Sequence, residues 1–112
     1  MIEARLYLLQ RGSAMMLGPL VLIHLGLILH AIDDGLSAAE ILERTRGSVA
    51  WAVFYGVFVL AVAVHAPIGL RNLSREWLGW RGRSLEWAVA AFGLLLLALG
   101  ARAIWAVVGG GA

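Results

Sequence analysis

Three long apolar stretches constrain the fold of this chain more than any other feature of its sequence. They cover residues 13–32, 48–70 and 85–108, and each has the roughly 20 mostly apolar residues that a helix needs to cross a bilayer. Hydrophobic residues make up 62% of the 112 positions and charged residues only 14%, which is too little polar surface for a soluble globule. The sequence predicts an all-α integral membrane protein, a single domain over residues 1–112 with three transmembrane helices.

The composition also excludes several chemistries. Cysteine is absent, so the chain has no disulfide, no thiolate nucleophile, no thiolate-bound iron–sulfur cluster and no covalently attached haem. The nine basic residues are all Arg. In a membrane protein an excess of Arg indicates orientation rather than nucleic-acid binding, and no nucleic-acid partner is predicted.

The distribution of Arg over the loops predicts the orientation. The N-terminal flank and residues 71–86 are rich in Arg, whereas residues 33–47 carry more acidic than basic side chains. Loops rich in Arg stay on the inner side of a membrane, which puts the N-terminus inside and the C-terminus outside. In the acidic loop, residues 37–42 have the capping-box pattern of a short helix, with Ser37 followed by Glu40.

Two of the three histidines, His24 and His65, lie inside apolar stretches. An ionisable side chain inside a membrane is costly and therefore indicates a functional site, although a hydrogen bond to a neighbouring helix is the alternative explanation. Counted from Arg11 and Arg71 at 1.5 Å per residue, the two histidines differ in depth by roughly 10 Å. They are thus not expected to share one iron: either each binds a different haem with a second chain, or only one is a ligand.

The residues after His65 favour a haem ligand. Gly69 lies on the same helix face and is expected to leave space beside the imidazole, and Asn72 follows on that face at the membrane boundary. An axial imidazole, a flat space and a polar group near the interface are what a haem with propionates needs. His30, near Asp33 and Asp34, is expected to be an interfacial or propionate-contacting residue.

Polar side chains are expected to meet at the inner boundary, where the first stretch begins and the second ends. Arg11, at the start of the first stretch, and Arg71, at the end of the second, are expected at this boundary. The other polar residues there are Gln10, Ser13, Asn72, Ser74, Arg75 and Glu76. Such a cluster suits the headgroup of an amphiphilic ligand. A set of solvated interfacial anchors is the alternative, and the composition alone favours it.

Two motifs carry a resemblance to a known family. Residues 9–14, LQRGSA, are similar to a [HQ]-R-x-[ST]-G motif, and residues 65–76, HAPIGLRNLSRE, are similar to H-x-x-x-G-[IL]-R-[HN]-x-x-x-[DE]. With both motifs the chain resembles the membrane-anchor cytochrome b subunits of succinate:quinone oxidoreductases and fumarate reductases. Ala14 replaces the usual Gly of the first motif, and Glu76 replaces the usual Asp of the second.

The resemblance implies a role for each matching residue. His65 would be an axial ligand of a haem b on the inner side, and His24, thirteen residues after Arg11 as in diheme members, would be a ligand of a second haem b. Arg71, Asn72 and Glu76 would contact haem propionates or the iron–sulfur subunit. His30 remains a candidate propionate contact because of its position near Asp33 and Asp34, and not because of the resemblance. Arg11, Ser13 and Glu76 would form part of a quinone site.

The resemblance also implies a place in a complex. This chain would be half of a haem-binding helical bundle in the inner (cytoplasmic) membrane and would pass electrons to quinone without catalysing a reaction alone. Its partners would be a second membrane anchor, an iron–sulfur subunit, a flavoprotein and membrane lipid. The alternative is a haem-free structural anchor that tethers a soluble dehydrogenase to the membrane.

Overall fold

The computed structural model describes residues 2–109, and they are almost entirely helical. Three long helices, α1 (Ile2–Asp34), α3 (Val49–Trp77) and α4 (Arg83–Val108), contain the predicted apolar stretches, and a short helix α2 (Ala38–Thr45) joins the first two. Each long helix is long and apolar enough to cross a membrane. The prediction of an all-α integral membrane protein is confirmed.

Two of the long helices extend well beyond the apolar stretches. Helix α1 begins about three turns before residue 13, because Arg5, Gln10 and Arg11 lower the hydropathy of this segment but are good helix formers. Helix α3 continues about two turns beyond residue 70 to Trp77. These added turns bring charged side chains from two helices to the same end of the molecule.

Helix α3 is central and packs against both α1 and α4. Its close contact with α4 depends on Gly100, where a β-carbon would collide with the Val59 side chain. Small residues let membrane helices approach closely, and Gly100 has that role on α4. A β-carbon at Gly93 would make only an ordinary contact with the Pro67 side chain, at 3.4 Å.

The predicted capping box at the start of α2 is confirmed. The Ser37 hydroxyl accepts a hydrogen bond from the Glu40 backbone at 3.2 Å, and the Glu40 carboxylate accepts one from the Ser37 hydroxyl at 2.6 Å. These bonds to Ser37 hold the pKa of Glu40 below its ordinary value. At the other end of α2 the Thr45 hydroxyl donates to the Val107 carbonyl at 2.5 Å, which fixes α2 to the end of α4.

Few apolar side chains are buried within residues 2–109: Ala61, Pro67, Ile68 and Leu85. Large apolar side chains are instead exposed along all three long helices, as at Leu22, Leu60 and Leu94. An apolar surface of this extent marks a membrane or protein interface. The helices therefore present their apolar faces outward.

Candidate haem and quinone site

Neighbouring long helices are antiparallel, so the start of one helix lies beside the end of the next at each end of the bundle. The start of α1, the end of α3 and the start of α4 form one end, which we call the Arg71 end. The end of α1, helix α2, the start of α3 and the end of α4 form the other, which we call the α2 end. His65 lies nearer the Arg71 end and His24 nearer the α2 end.

Ser13 of α1 and His65 of α3 are in contact although 52 residues separate them in the chain. The Ser13 Oγ lies 3.4 Å from the His65 Nδ1 and donates a hydrogen bond to the Gln10 carbonyl at 3.0 Å. Ser13 is buried and His65 is half-buried. The predicted quinone residue of the first motif thus touches the predicted haem ligand of the second.

The surroundings of His65 are compatible with axial ligation. Within residues 2–109 its Nε2 has no hydrogen-bond partner, so this nitrogen is available to a metal. The space that Gly69 was expected to leave is partly filled, because the Gln10 Nε2 lies 3.3 Å from the position of a β-carbon there. The Gln10 Oε1 is buried without a partner among the described residues. A flat ligand beside His65 would displace the Gln10 amide, which is held by no side-chain hydrogen bond in the described structure.

His24 is held differently, by aromatic edges. Its ring centroid lies 5.8 Å from that of Tyr55 and 5.4 Å from that of Phe58, both nearly perpendicular to it. Its Nδ1 is buried with no hydrogen-bond partner among residues 2–109. The helix register from Ser13 and from Phe58 puts His24 about 10 to 16 Å from the level of His65. This separation agrees with the expected difference in depth.

Arg71 is the centre of an ion-pair cluster at the Arg71 end. Its buried side chain donates to the Glu86 carboxylate at 2.7 Å and to the Glu3 carboxylate at 2.9 Å. The Arg75 guanidinium also forms an ion pair with the Glu3 carboxylate, at 3.2 Å. Because Glu3, Arg71 and Glu86 belong to α1, α3 and α4, the cluster joins three helix ends.

The other predicted residues at the Arg71 end lie apart from Ser13 and His65. Arg11 and Asn72 are exposed, as is Glu76. Asn72 and Glu76 line a polar cavity of about 210 Å³ together with Arg75 and Arg81. Arg11 lies two residues before Ser13, about 200° around the helix, and so faces away from the α1–α3 interface.

An apolar cavity of about 410 Å³ adjoins Ser13 on the α1–α3 groove. Apart from Ser13 its lining is apolar or glycine: Leu8, Leu9, Gly12, Met16, Val57, Leu60, Ala61 and Val64. One polar side chain in an apolar lining is the usual composition of a site for a small apolar ligand.

A second cavity, of about 200 Å³, lies at the α2 end and is lined by both His24 and His30. Trp51 and Tyr55, stacked with centroids 5.6 Å apart, form part of its wall. His30 itself is exposed and its Nε2 pairs with Asp34 at 2.9 Å. The structure thus places His30 near His24 and far from Arg71 and Asn72.

Sequence reasoning missed the acidic partners of Arg71. Glu3 precedes the first apolar stretch and Glu86 lies at the edge of the third, so neither was assigned to the polar cluster. Extending α1 back through its good helix formers to the first turn would have brought Glu3 opposite Arg71. Tyr55 and Phe58 were missed because an aromatic residue in an apolar stretch carries no signal of a specific neighbour.

Three packed helices that are each long and apolar enough to cross a membrane define a multi-pass helical membrane protein. Two of these helices, α1 and α3, carry histidines. Residues 2–107 match the family described as succinate dehydrogenase/fumarate reductase transmembrane subunit, and the chain belongs to that family. No significant match was found among curated proteins or among solved structures. A transmembrane subunit of this family is one part of a larger complex, so this chain has partner subunits.

Proposed function

We propose that this chain carries haem b ligands and part of the quinone site of a succinate:quinone oxidoreductase. Electrons would reach it from an iron–sulfur subunit, which receives them from a flavoprotein that oxidises succinate, and a second membrane anchor would complete the bundle. The contact between Ser13 and His65 carries this proposal. It joins the two motifs, which are far apart in the sequence, at a single point between α1 and α3.

His65 would hold a haem b through Nε2, and a histidine of the second anchor would supply the other axial position. A haem with two imidazole ligands exchanges one electron at a time and has no open site for oxygen chemistry. Asn72, which is exposed, is free to reach a propionate. Arg71 could do so only by sharing its guanidinium with Glu3 and Glu86, which already bind it.

His24 would be a ligand of a second haem b nearer the α2 end. Its depth, about 10 to 16 Å from that of His65, supports two separate sites. His30 lines the same cavity as His24 and would contact the propionates of that haem. Here too the remaining axial ligand would come from the second anchor.

A quinone would lie with its apolar part in the cavity beside Ser13. Its reduction takes two electrons and two protons, so groups near water must replace the protons. Arg11 and Glu76 are both exposed at this end. The fixed charge of Arg11 would orient a headgroup that reaches the boundary, and the Glu76 carboxyl would relay protons to it. Partner subunits would complete the site, because Arg11 and Glu76 lie apart from Ser13.

The distribution of Arg supports an orientation with the Arg71 end on the inner side of the membrane. Six Arg residues lie at or near the Arg71 end: Arg5, Arg11, Arg71, Arg75, Arg81 and Arg83. The α2 end has Arg44, Arg46 and Arg102. By the positive-inside tendency the N-terminus would be inside and the C-terminus outside.

A haem assay on the assembled complex tests this function. We expect two b-type components in a redox titration, of which His65→Ala removes one and His24→Ala removes the other, so that each variant is the control for the other. An unchanged haem content in His65→Ala would overturn the assignment of that ligand. An intact, haem-free complex would overturn the electron-transfer function and leave the structural anchor.

A further inference from the structure

Ser13 makes two polar contacts with one hydroxyl. Its Oγ lies 3.0 Å from the Gln10 carbonyl oxygen and 3.4 Å from the His65 Nδ1. The side chain is buried, with 7% of its surface exposed. The hydroxyl is therefore largely shielded from bulk water, and Gln10 and His65 provide its two polar contacts within residues 2–109.

The proton of this hydroxyl can serve only one of the two contacts. A carbonyl oxygen accepts hydrogen bonds and donates none, whereas a hydroxyl has one proton and two lone pairs. When the Ser13 proton is donated to the Gln10 carbonyl, a lone pair of Oγ faces His65 Nδ1. The matching form of His65 then carries its proton on Nδ1.

This proton position decides which nitrogen of His65 can bind a metal. A neutral imidazole carries one N–H, so a proton on Nδ1 leaves the lone pair of Nε2 free. Metal-binding histidines generally donate their other N–H to an oxygen, which fixes both the tautomer and the ring orientation. No hydrogen-bond partner of Nε2 lies within residues 2–109, so nothing in this part of the chain competes for it.

We infer that Ser13 is a positioning residue, whose hydroxyl accepts the Nδ1–H bond of His65 and so presents Nε2 to the haem iron. The inference rests on the proposed function, since it requires His65 to be an axial ligand. The hydrogen bond makes the imidazole a stronger electron donor to iron and stabilises the oxidised haem. Ser13 therefore sets the reduction potential of this haem as well as the ring orientation.

The test uses the complete complex with its partner subunits and three variants of the chain. Ser13→Ala removes the acceptor, Ser13→Thr keeps the hydroxyl, and Ser74→Ala removes another buried hydroxyl that does not contact His65. For Ser13→Ala we expect the midpoint potential of one haem to rise, by up to a tenfold change in its reduction equilibrium, or about 59 mV for one electron. Its low-spin electron paramagnetic resonance signal should shift too, while Ser13→Thr and Ser74→Ala remain close to the parent.

The outcomes separate this inference from the proposed function. If Ser13→Ala binds both haems with parental potentials and spectra, the inference is overturned while His65 can still be the ligand. A changed KM for quinone with an unchanged haem would overturn it as well and assign Ser13 to the quinone alone. If His65→Ala retains both haems, the ligand assignment itself fails.

A variant that does not assemble would leave no haem to measure. Ser13→Cys then takes the place of Ser13→Ala, because a thiol has a similar size and is a weaker acceptor. A smaller rise in the same direction supports the inference, and a parental potential overturns it.

Discussion

The two ends of the molecule are held together by different forces. At the Arg71 end a buried guanidinium and two carboxylates join α1, α3 and α4. At the α2 end, the edge-to-face contacts of His24 with Tyr55 and Phe58 join α1 to α3, close packing on Gly100 joins α4 to α3, and a hydroxyl-to-carbonyl bond joins α2 to α4. None of these contacts is an ion pair. Ion pairs are sensitive to salt and to the loss of one partner, whereas packing is sensitive to volume.

His65 and His24 also differ in what holds their rings, a polar contact in one case and aromatic packing in the other. His65 has a hydroxyl on its Nδ1, and His24 has only aromatic edges, with Nδ1 unpartnered among the described residues. A hydrogen bond specifies a tautomer, while an aromatic cage restricts the ring without doing so. Two histidines held in these two ways would differ in their electronic effect on a bound metal.

Removing Arg71 should reduce stability the most, because its ion pairs hold the Arg71 end together. Arg71→Ala removes charge-assisted hydrogen bonds to two helices and leaves Glu86 without this partner, while Arg75 still contacts Glu3. We expect a loss of about 2 to 3 kcal/mol from these hydrogen bonds. The loss is smaller than for a fully buried pair, because both carboxylates are half-exposed and water screens them. The thermal midpoint of the assembled complex in detergent should fall, whereas Arg83→Ala, at an exposed Arg of the same end, should leave it nearly unchanged. An equal loss in both variants would contradict the role of the cluster.

Adding one methyl group to α4 tests the α2 end. Gly100→Ala forces Val59 aside, and overpacking of this kind costs about 2 kcal/mol. Gly56→Ala is the matched control, since a β-carbon there meets no atom within 4 Å. Thermal melts at low and high salt should show a salt-independent loss for Gly100→Ala and a loss for Arg71→Ala that shrinks with salt. A loss of stability in Gly56→Ala as large as in Gly100→Ala would refute the close-contact explanation.

Removing the hydrogen bond between Thr45 and Val107 should reduce stability less than the two variants above. Thr45→Val replaces the donor with an apolar group of similar shape and should cost about 1 kcal/mol. Amide hydrogen exchange should increase in α2 and leave the Arg71 end unchanged. Thr45→Ser, which keeps the hydroxyl, should exchange like the parent, and faster exchange there would indicate that the methyl group matters instead.

The smallest expected effect is a pH dependence of α2. Hydrogen bonds from Ser37 lower the pKa of Glu40 in the folded chain below its ordinary 4.5. The cap therefore contributes fully above pH 4.5, and its contribution is lost as the pH falls through the lower, folded pKa. Exchange in α2 should rise on acidification in the parent, whereas Glu40→Gln should show a weaker dependence. A parent and a variant with the same pH profile would rule out this cause.

Much of the fold followed from local pattern. The apolar stretches predicted the three long helices, and Ser37 with Glu40 predicted α2, because both signals act within a few turns. The true length of α1 did not follow, since Arg5 and Arg11 look like a boundary when only hydropathy is considered. A helix can continue beyond the apolar stretch when polar side chains at its end find water or a partner.

The sequence named the residues of the candidate site, but it predicted only part of how they are arranged. Ser13 and His65 were both named, yet the sequence assigned them to different ligands and did not predict their contact. Arg11 and Arg71 were expected to lead one cluster, whereas Arg71 pairs with Glu3 and Glu86 and Arg11 is exposed. A position along a helix fixes depth to within a turn, but which faces meet depends on how the helices rotate and cross.

By itself the sequence determined that this chain is an all-helical membrane protein, and its motifs indicated the family of respiratory membrane anchors. Those properties follow from hydrophobicity, helix length and residue spacing, which are all local. Only the tertiary structure decided that Ser13 reaches the Nδ1 of His65, that Gln10 partly fills the space at Gly69, and that Glu3 pairs with Arg71. Each of these contacts joins residues more than fifty positions apart, so each depends on the packing of α1 against α3.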